Sequence, residues 1–264
     1  MRVAVCMKQV ADSESRLKIG PEGRWIEEDD LPFMINGSDE YALEEALRIA
    51  ESTGGEVVVF SLGPDRVREA LRKALALGAT RAVHLDDPAF ASGDYAANGR
   101  ALAAAIGRES FDLVLTGSQS DDVGYGATGT IIAGRLGWPH AWLVMGVEIE
   151  NGGSTAKVTR EMESGLNEVF RIQLPAVLEI QAGINKPRYA SLKGIMQAKR
   201  KEITSADPAA LGLTNDEVGG SGAKIEIVEI AFPAKGEGAQ MLEGNPQEVA
   251  ALLVEKLKKE ARIL

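Results

Sequence analysis

The stretch from Gly117 to Gly129, GSQSDDVGYGATG, holds the residue types that a phosphate group needs. Gly117, Ser118, Gly124, Gly126, Ala127 and Gly129 are small enough for the backbone to approach a ligand, and the N–H groups at the start of a following helix can receive its charge. Ser118, Gln119, Ser120 and Thr128 add neutral donors. Asp121 and Asp122 sit awkwardly beside a phosphate, whereas a carboxylate suits a ribose hydroxyl or a helix cap. The loop reads as carrying neither G-x-x-x-x-G-K-[ST] nor G-x-G-x-x-G, so neither a P-loop kinase nor an ordinary dinucleotide fold is expected. On these residues alone, a Gly-rich strand-to-helix turn that holds nothing stays open.

A second stretch has a different chemistry. Asn185 to Lys201, NKPRYASLKGIMQAKRK, places six cationic residues and no acidic one in a chain of net charge -10. Lys186, Arg188, Lys193, Lys199, Arg200 and Lys201 surround the apolar set Tyr189, Leu192, Ile195 and Met196, just past Gly183, where the strand-like PAVLEIQ stops. An apolar residue ringed by cations on a loop reads as an anchor for a protein partner, with the charges aiding encounter. A solvated basic helix end fits the same residue types. Elsewhere, Cys6 reads as a small core residue with nothing nearby in sequence to lower its pKa. His84 and His140 read as packing or surface histidines, Trp138 as core, and Lys8 and Asp12 as residues that border an interface or solvent.

The bulk composition narrows the function classes. A chain of 264 residues holds one large or two small domains and buries a substantial core. An aromatic content of 5%, a charged content of 26% and a pI near 4.9 describe an ordinary globular protein and disfavour a nucleic-acid-binding role. No apolar run approaches the roughly 18 residues that span a bilayer, so an integral membrane protein is not expected. Met1-Arg2 leads straight into the strand-like VAVCM, from which no signal peptide and a cytoplasmic or matrix-like location are expected. A single cysteine excludes an internal disulfide and a cysteine-rich metal site, and two histidines leave a histidine metal cluster unexpected.

The elements that must position these residues follow an α/β pattern. Short apolar runs alternate with amphipathic stretches, which predicts a doubly wound, mostly parallel sheet covered on both faces. Strands are predicted at Val3 to Met7, Val57 to Leu62, Ala82 to Leu85 and Phe111 to Thr116, and residues 12 to 33, with Gly20-Pro21 and Gly23, as a loop or irregular hairpin. Helices are predicted from Ser38-Asp39-Glu40 to Gly54-Gly55, from Pro64-Asp65 to Gly78, from Asp94 to Ile106 and from Thr128 to Leu136. Residues 142 to 181 read as antiparallel strands with a turn at Asn151-Gly152-Gly153. Residues 203 to 245 read as an arm with one strand pattern, KIEIVEI, followed by a helix capped by Asn245 with Pro246 and Glu248. The expected organisation is a nucleotide-binding core over 1–182, a recognition loop and helix over 183–202, and an arm with a terminal helix over 203–264.

The basic segment closely resembles the signature and recognition loop of the electron-transfer flavoprotein beta subunit, whose pattern runs N-x-P-R-Y-x-x-L-x-x-I-M-x-A-K-K-K. The resemblance extends from residue 2 to the C-terminus through RVAVCMKQV, NGSDEYALEEALR, VVVFSLGP, ALALGATRAVH, DLVLTG, GRLGWP and GLNEVFRIQLPAV. It implies an adenine-nucleotide-alpha-hydrolase-like, Rossmann-like fold with an antiparallel extension and an arm that embraces a partner. It also implies an alpha subunit that carries most contacts to a redox-active FAD, while this chain binds a structural AMP. By position, the AMP contacts carry over to Cys6, to Asn36, Gly37, Ser38 and Asp39, to Leu62, and to Gly117, Ser118, Gln119, Ser120, Asp121, Asp122, Val123, Gly124, Tyr125, Gly126, Ala127 and Thr128. Leu192 matches the leucine that docks dehydrogenases, with Ile195 and Met196 beside it and Arg188 and Tyr189 as loop organisers.

The resemblance implies a carrier without bond chemistry of its own, serving acyl-CoA and related flavin dehydrogenases in fatty acid oxidation and delivering to a membrane quinone oxidoreductase. The phosphate loop departs from the family: three consecutive acids and a Gln are usual, and here Val123 and Gly124 follow Asp122, with Ala127 at the Gln position. The D-G-D-T-A-Q-V-G form of electron-bifurcating members, which carry a second FAD at this site, is absent, so AMP is expected rather than FAD. Two other classes compete. An enzyme of the adenine-nucleotide alpha-hydrolase type needs a phosphate-loop motif or a placed nucleophile, and a standalone nucleotide sensor does not need the arm and basic loop, which imply large partner surfaces.

Overall fold

A computed structural model of the chain describes residues 1–234 and 238–264. Its centre is a nine-stranded sheet in the order β11-β5-β4-β1-β6-β10-β7-β8-β9, with a separate two-stranded sheet, β2-β3. In chain order the elements are β1 Arg2–Cys6, β2 Gln9–Ala11, β3 Phe33–Ile35, α1 Gly37–Thr53, β4 Glu56–Leu62, α2 Val67–Leu77, β5 Arg81–Leu85, α3 Tyr95–Ile106, β6 Leu113–Gly117 and α4 Thr128–Leu136. Then follow β7 His140–Glu150, β8 Thr155–Glu161, β9 Asn167–Gln173, β10 Ala176–Ile180, α5 Leu192–Ala198, β11 Ile203–Ala206, the single turn α6 Gly219–Gly222, and α7 Pro246–Lys259.

The core is parallel because each central strand is apolar on both sides. Val3 and Val5 of β1 face one cluster with Leu43 and Leu47 of α1 and Leu71 and Leu75 of α2. Ala4 and Cys6 face the other, with Leu102 and Ile106 of α3 and Ile132 of α4. This is the period of two that sends successive side chains to opposite faces. Helix α1 stops where Gly54 takes a left-handed φ of 66° and returns its N–H to Ala50 O, a cap that costs glycine no Cβ clash.

The doubly wound reading holds, with three local corrections. The PAVLEIQ run is not an antiparallel strand: β10 lies between β6 and β7 and pairs parallel with both. All five of its residues are buried, the signature of a strand covered on both faces. The antiparallel extension is therefore β7-β8-β9 alone. KIEIVEI forms no strand. Ile225 is 38% and Val228 76% exposed, and the segment is tied down by Lys224 and Ile225 N–H groups on Asp94 Oδ2 and by Ile230 N–H on Gly23 O. The strand of this region is instead β11, which extends the sheet beside β5. Residues 12 to 33 form the expected irregular hairpin, closed by β2 with β3 and by one bridge between Ile19 and Ile26. Helix α7 has the expected Asn245 and Glu248 capping box, and none of its side chains is buried.

Candidate functional site

From β1 the chain winds to β4 and β5 on one side, then crosses to β6 on the other. Where the winding direction reverses, the carboxyl ends of β1 and β6 leave a crevice, the usual ligand position in an open α/β sheet. Cys6 ends β1, Leu62 ends β4 and Gly117 ends β6, so three separate sequence positions meet at one edge. Asn36, Gly37, Ser38 and Asp39 open α1 above that edge.

Asp39 joins the two sides. Its Oδ2 accepts the Lys8 N–H at 2.7 Å and its Oδ1 the Gly117 N–H at 2.9 Å. Burial pushes its carboxyl up to about 7, against the downward pull of the bonds from Lys8, Asn36 and Gly117. Gly117 is required by this closeness: a Cβ there would lie 2.2 Å from Ser38 Oγ and 2.4 Å from Asp39 Oδ1.

The loop from Ser118 to Ala127 is stitched to the start of α1. Asn36 Nδ2 donates to Gln119 O at 2.9 Å, Asn36 Oδ1 accepts the Asp121 N–H at 2.8 Å, and Ser38 Oγ donates to Gln119 O at 2.7 Å. Asp121 takes the capping role expected of a carboxylate: its Oδ2 accepts the Gly37 N–H at 3.0 Å. Asp122 pairs with Lys8 Nζ at 2.6 Å. Its burial raises the carboxyl, and the Lys8 ammonium outweighs that and holds it below the ordinary range. The side chains of Asn36, Ser38, Asp39, Asp121 and Asp122 thus build the wall of the crevice through their contacts with one another.

The groups left open for a phosphate are backbone donors. Helix α4 begins after Ala127 with no side-chain cap, so the first-turn N–H groups at Thr128 and beyond keep their donor capacity. Ahead of it, Gly124 and Gly126 take φ of 62° and 58°. Tyr125 between them packs its ring 5.3 Å from that of Tyr95. Gly124, Gly126 and Gly129 do have the G-x-G-x-x-G spacing, which corrects the expectation that the loop lacks it. Ser118 to Val123 intervene after β6, whereas a dinucleotide fingerprint follows its strand directly. A small nucleotide phosphate fits this donor set: open amides, an uncapped helix start and a floor of glycine.

The cysteine and the histidines are not arranged as a nucleophile and its base. Burial and the nearby Asp39 push the Cys6 thiol up, away from the thiolate. His140, Thr130 and Glu179 meet beneath α4, where Glu179 lies against Gly129. Thr130 Oγ1 gives its proton to Glu179 Oε1 at 2.9 Å, and the same carboxylate oxygen meets His140 Nε2 at 2.7 Å. A nucleophile relay needs hydroxyl and acid on opposite ring nitrogens, and here both lie at Nε2. His84 is fully buried with Nε2 2.8 Å from Gly63 O. Trp138 packs half-buried on the α3 and α4 side of the core. Among the described residues, no group of three His, Cys, Asp or Glu side chains is placed to hold a metal ion, and no helix is long and apolar enough to cross a membrane.

The basic segment stands apart from the crevice, against the outer sides of α1 and α2. Tyr189 is 94%, Leu192 82%, Met196 71% and Ile195 45% exposed, so the apolar set forms a projecting face. Leu192 is the first residue of α5, after the Ser191 cap. Arg188 turns inward to Glu44 and Glu51 of α1. Those two acids, with Arg72 of α2, are functional-looking residues that the sequence reading missed. The available signal was Glu44 and Glu51 set two helical turns apart on one face.

The electron transfer flavoprotein domain family matches residues 24–211. The electron transfer flavoprotein subunit beta of Methylophilus methylotrophus is 42% identical over 257 residues, covering 97% of both chains. The subunit beta of Thermoanaerobacterium thermosaccharolyticum is 36% identical over 258 residues, 97% of this chain and 98% of that one. The caffeyl-CoA reductase-Etf complex subunit CarD of Acetobacterium woodii is 38% identical over 261 residues, 98% of each. On a match of this length and identity, carried by a strand-edge crevice and a projecting basic segment in one α/β fold, the chain belongs to the electron transfer flavoprotein beta subunit family.

Proposed function

We propose that this chain is the non-catalytic beta subunit of a heterodimer that accepts electrons from acyl-CoA and related flavin dehydrogenases and passes them to a membrane quinone oxidoreductase. One observation carries the reading: the chain joins a crevice whose polar side chains are bonded to one another and to backbone to an exposed apolar face ringed by cations. Its role is to hold and to dock. FAD, held mainly by the alpha subunit, supplies the redox chemistry of the complex when bound.

This chain's own residues do three things. The open amides at the start of α4 and the small residues Gly117, Gly124 and Gly126 receive the phosphate of a structural AMP, with Cys6 and Leu62 at the strand ends beside its base. Asn36, Ser38, Asp39, Asp121 and Asp122 fix the loop that carries those amides. Leu192, with Tyr189, Ile195 and Met196, enters a pocket on the dehydrogenase. Arm and terminal helix, whose Phe232 and Met241 are 65% and 83% exposed, grip the alpha subunit, and the complex works in the cytoplasm.

Purification of the chain with its alpha subunit tests this reading. A stable 1:1 yellow complex is expected, with one FAD and one AMP released on denaturation and identified by mass. Two FAD per heterodimer would replace the AMP assignment with a second flavin, and a colourless chain active without a companion would end the reading.

A further inference from the structure

The projecting face stands on two feet, and both are charged. At the first, Arg188 Nε donates to Glu44 Oε2 at 2.8 Å and Nη2 to Glu44 Oε1 at 3.2 Å. Its Nη1 and Nη2 reach the two Glu51 oxygens at 2.5 and 3.1 Å, and its backbone N–H meets Glu44 Oε2 at 3.1 Å. The Glu44 side chain is only 5% exposed. Just upstream, Asn185 Nδ2 donates to Tyr41 O and Glu45 Oε2, both at 3.0 Å. A planar guanidinium fork is the one side chain able to hold two carboxylates in this way.

At the second foot, Lys201 Nζ donates to Leu75 O at 3.0 Å and Ala79 O at 2.6 Å, filling carbonyls at the end of α2. Arg72 Nη1 returns two bonds of 2.6 Å to Ala198 O and Lys201 O. Between the feet, Gly194 rests on α2 so closely that a Cβ would lie 2.3 Å from Ala76 O. Helix α5 has 7 residues, too few to persist in water on its own.

We propose that Arg188, Lys201 and Arg72 are positioning residues that pre-organise the face of Tyr189, Leu192, Ile195 and Met196 for its protein partner. The inference rests on the docking role proposed above and assigns the segment's charges to two jobs. Arg188 and Lys201 act inward, while Lys186, Lys193, Lys199 and Arg200 are exposed and form no ion pair among the described residues. The inward pair sets how ordered the face is before encounter, and the outward four set how fast encounter occurs.

The experiment uses the full chain complexed with its alpha subunit. Two quantities are read: amide exchange over residues 186–198, and the KM of an acyl-CoA dehydrogenase for the complex across ionic strength. Arg188→Gln is expected to speed exchange and raise KM roughly tenfold, with kcat and the salt slope kept, because ordering is then deferred to binding. Arg188→Lys, which reaches one carboxylate only, should fall between. Lys193→Gln should leave exchange alone and flatten the salt slope. Should Arg188→Gln fail to fold, Glu51→Gln loosens the same foot from its exposed side. Wild-type exchange in both variants overturns the proposal, as does faster exchange with unchanged KM. Leu192→Ala separates the underlying reading: exchange stays at the wild-type rate, and an unchanged KM there refutes the docking role itself.

Discussion

Asp39 makes the crevice sensitive to pH in a direction opposite to most carboxylates. The group is 5% exposed and ties the ends of β1 and β6 through the Lys8 and Gly117 amides. Its carboxyl moves from the ordinary 3.8 to about 7. With the folded value above the unfolded one, the folded protein binds the extra proton, so the stability is fully present below pH 3.8 and is lost as pH rises through about 7. At about 1.4 kcal/mol per unit, the loss is on the order of 4 kcal/mol. The other buried or paired carboxylates Glu44, Glu51, Asp94, Glu109 and Asp122 are held below their ordinary values. They act below that window, and the two histidines are common to both proteins, so the difference between wild type and an Asp39 variant over pH 5 to 8 isolates Asp39. The assay is urea denaturation at half-unit steps over this range, for wild type and for Asp39→Asn, whose amide is the neutral isostere of the protonated acid. Wild type should lose stability toward pH 8 more steeply than the variant, whose NH2 cannot accept the backbone N–H that faces it and which is therefore the less stable at low pH. A flat wild-type profile, or an unchanged slope in the variant, would refute the reasoning and show that the two amide bonds keep the carboxylate ionised despite its burial.

Three further outcomes follow from contacts. Gly129→Ala places a Cβ 2.5 Å from Glu179 Cγ and should cost about 1–3 kcal/mol, read as a lower urea midpoint together with loss of co-purified nucleotide. Asn245→Ala removes the acceptor for the Gln247 and Glu248 N–H groups and should destabilise α7 by about 1 kcal/mol, seen as faster exchange over residues 246–259 with the core unchanged. Lys201→Met withdraws the bonds to Leu75 O and Ala79 O and should cost about 1 kcal/mol, with faster exchange at both the end of α2 and residues 196–202. Unaltered exchange at α2 would refute the last assignment.

The sheet core was legible because its information is local. Apolar runs broken by Gly54, Gly78 and Gly137 place α1, α2 and α4 and the strands between them without knowledge of tertiary structure. Strand order is a different matter. The run β10 is continuous in sequence with three antiparallel strands, and only its burial on both faces reveals that it sits in the parallel layer. The short ITSA of β11 is half polar, since an edge strand needs no second apolar face, while KIEIVEI alternates only as far as Ile227, and Val228, which breaks the period of two, lies exposed with no covering element among the described residues. At the site, the strand-end rule brings Cys6, Leu62 and Gly117 together from sequence. Arg188 and Glu44 lie 144 residues apart, so local pattern carries no trace of that pair.

The same pair links the docking face to the stability of α1. Glu44 lies among the apolar residues of that helix with only 4% of its surface exposed, a position where an unpaired carboxylate is costly. Burial raises its carboxyl, and Arg188 and Arg48 together bring it below the ordinary value. In the wild type, therefore, its contribution is present above pH 4.5 and lost on acidification. Arg188→Gln leaves only Arg48, which is 47% exposed. Burial is then opposed by one half-exposed guanidinium alone, so the carboxyl moves up and the stability it contributes above pH 4.5 shrinks. Adding Glu44→Gln to the variant removes the buried charge and should restore a flat profile while the docking segment stays loose in exchange. If the double variant regains segment order instead, the fork on Glu44 is not what holds the segment, and the first foot must rest on Asn185.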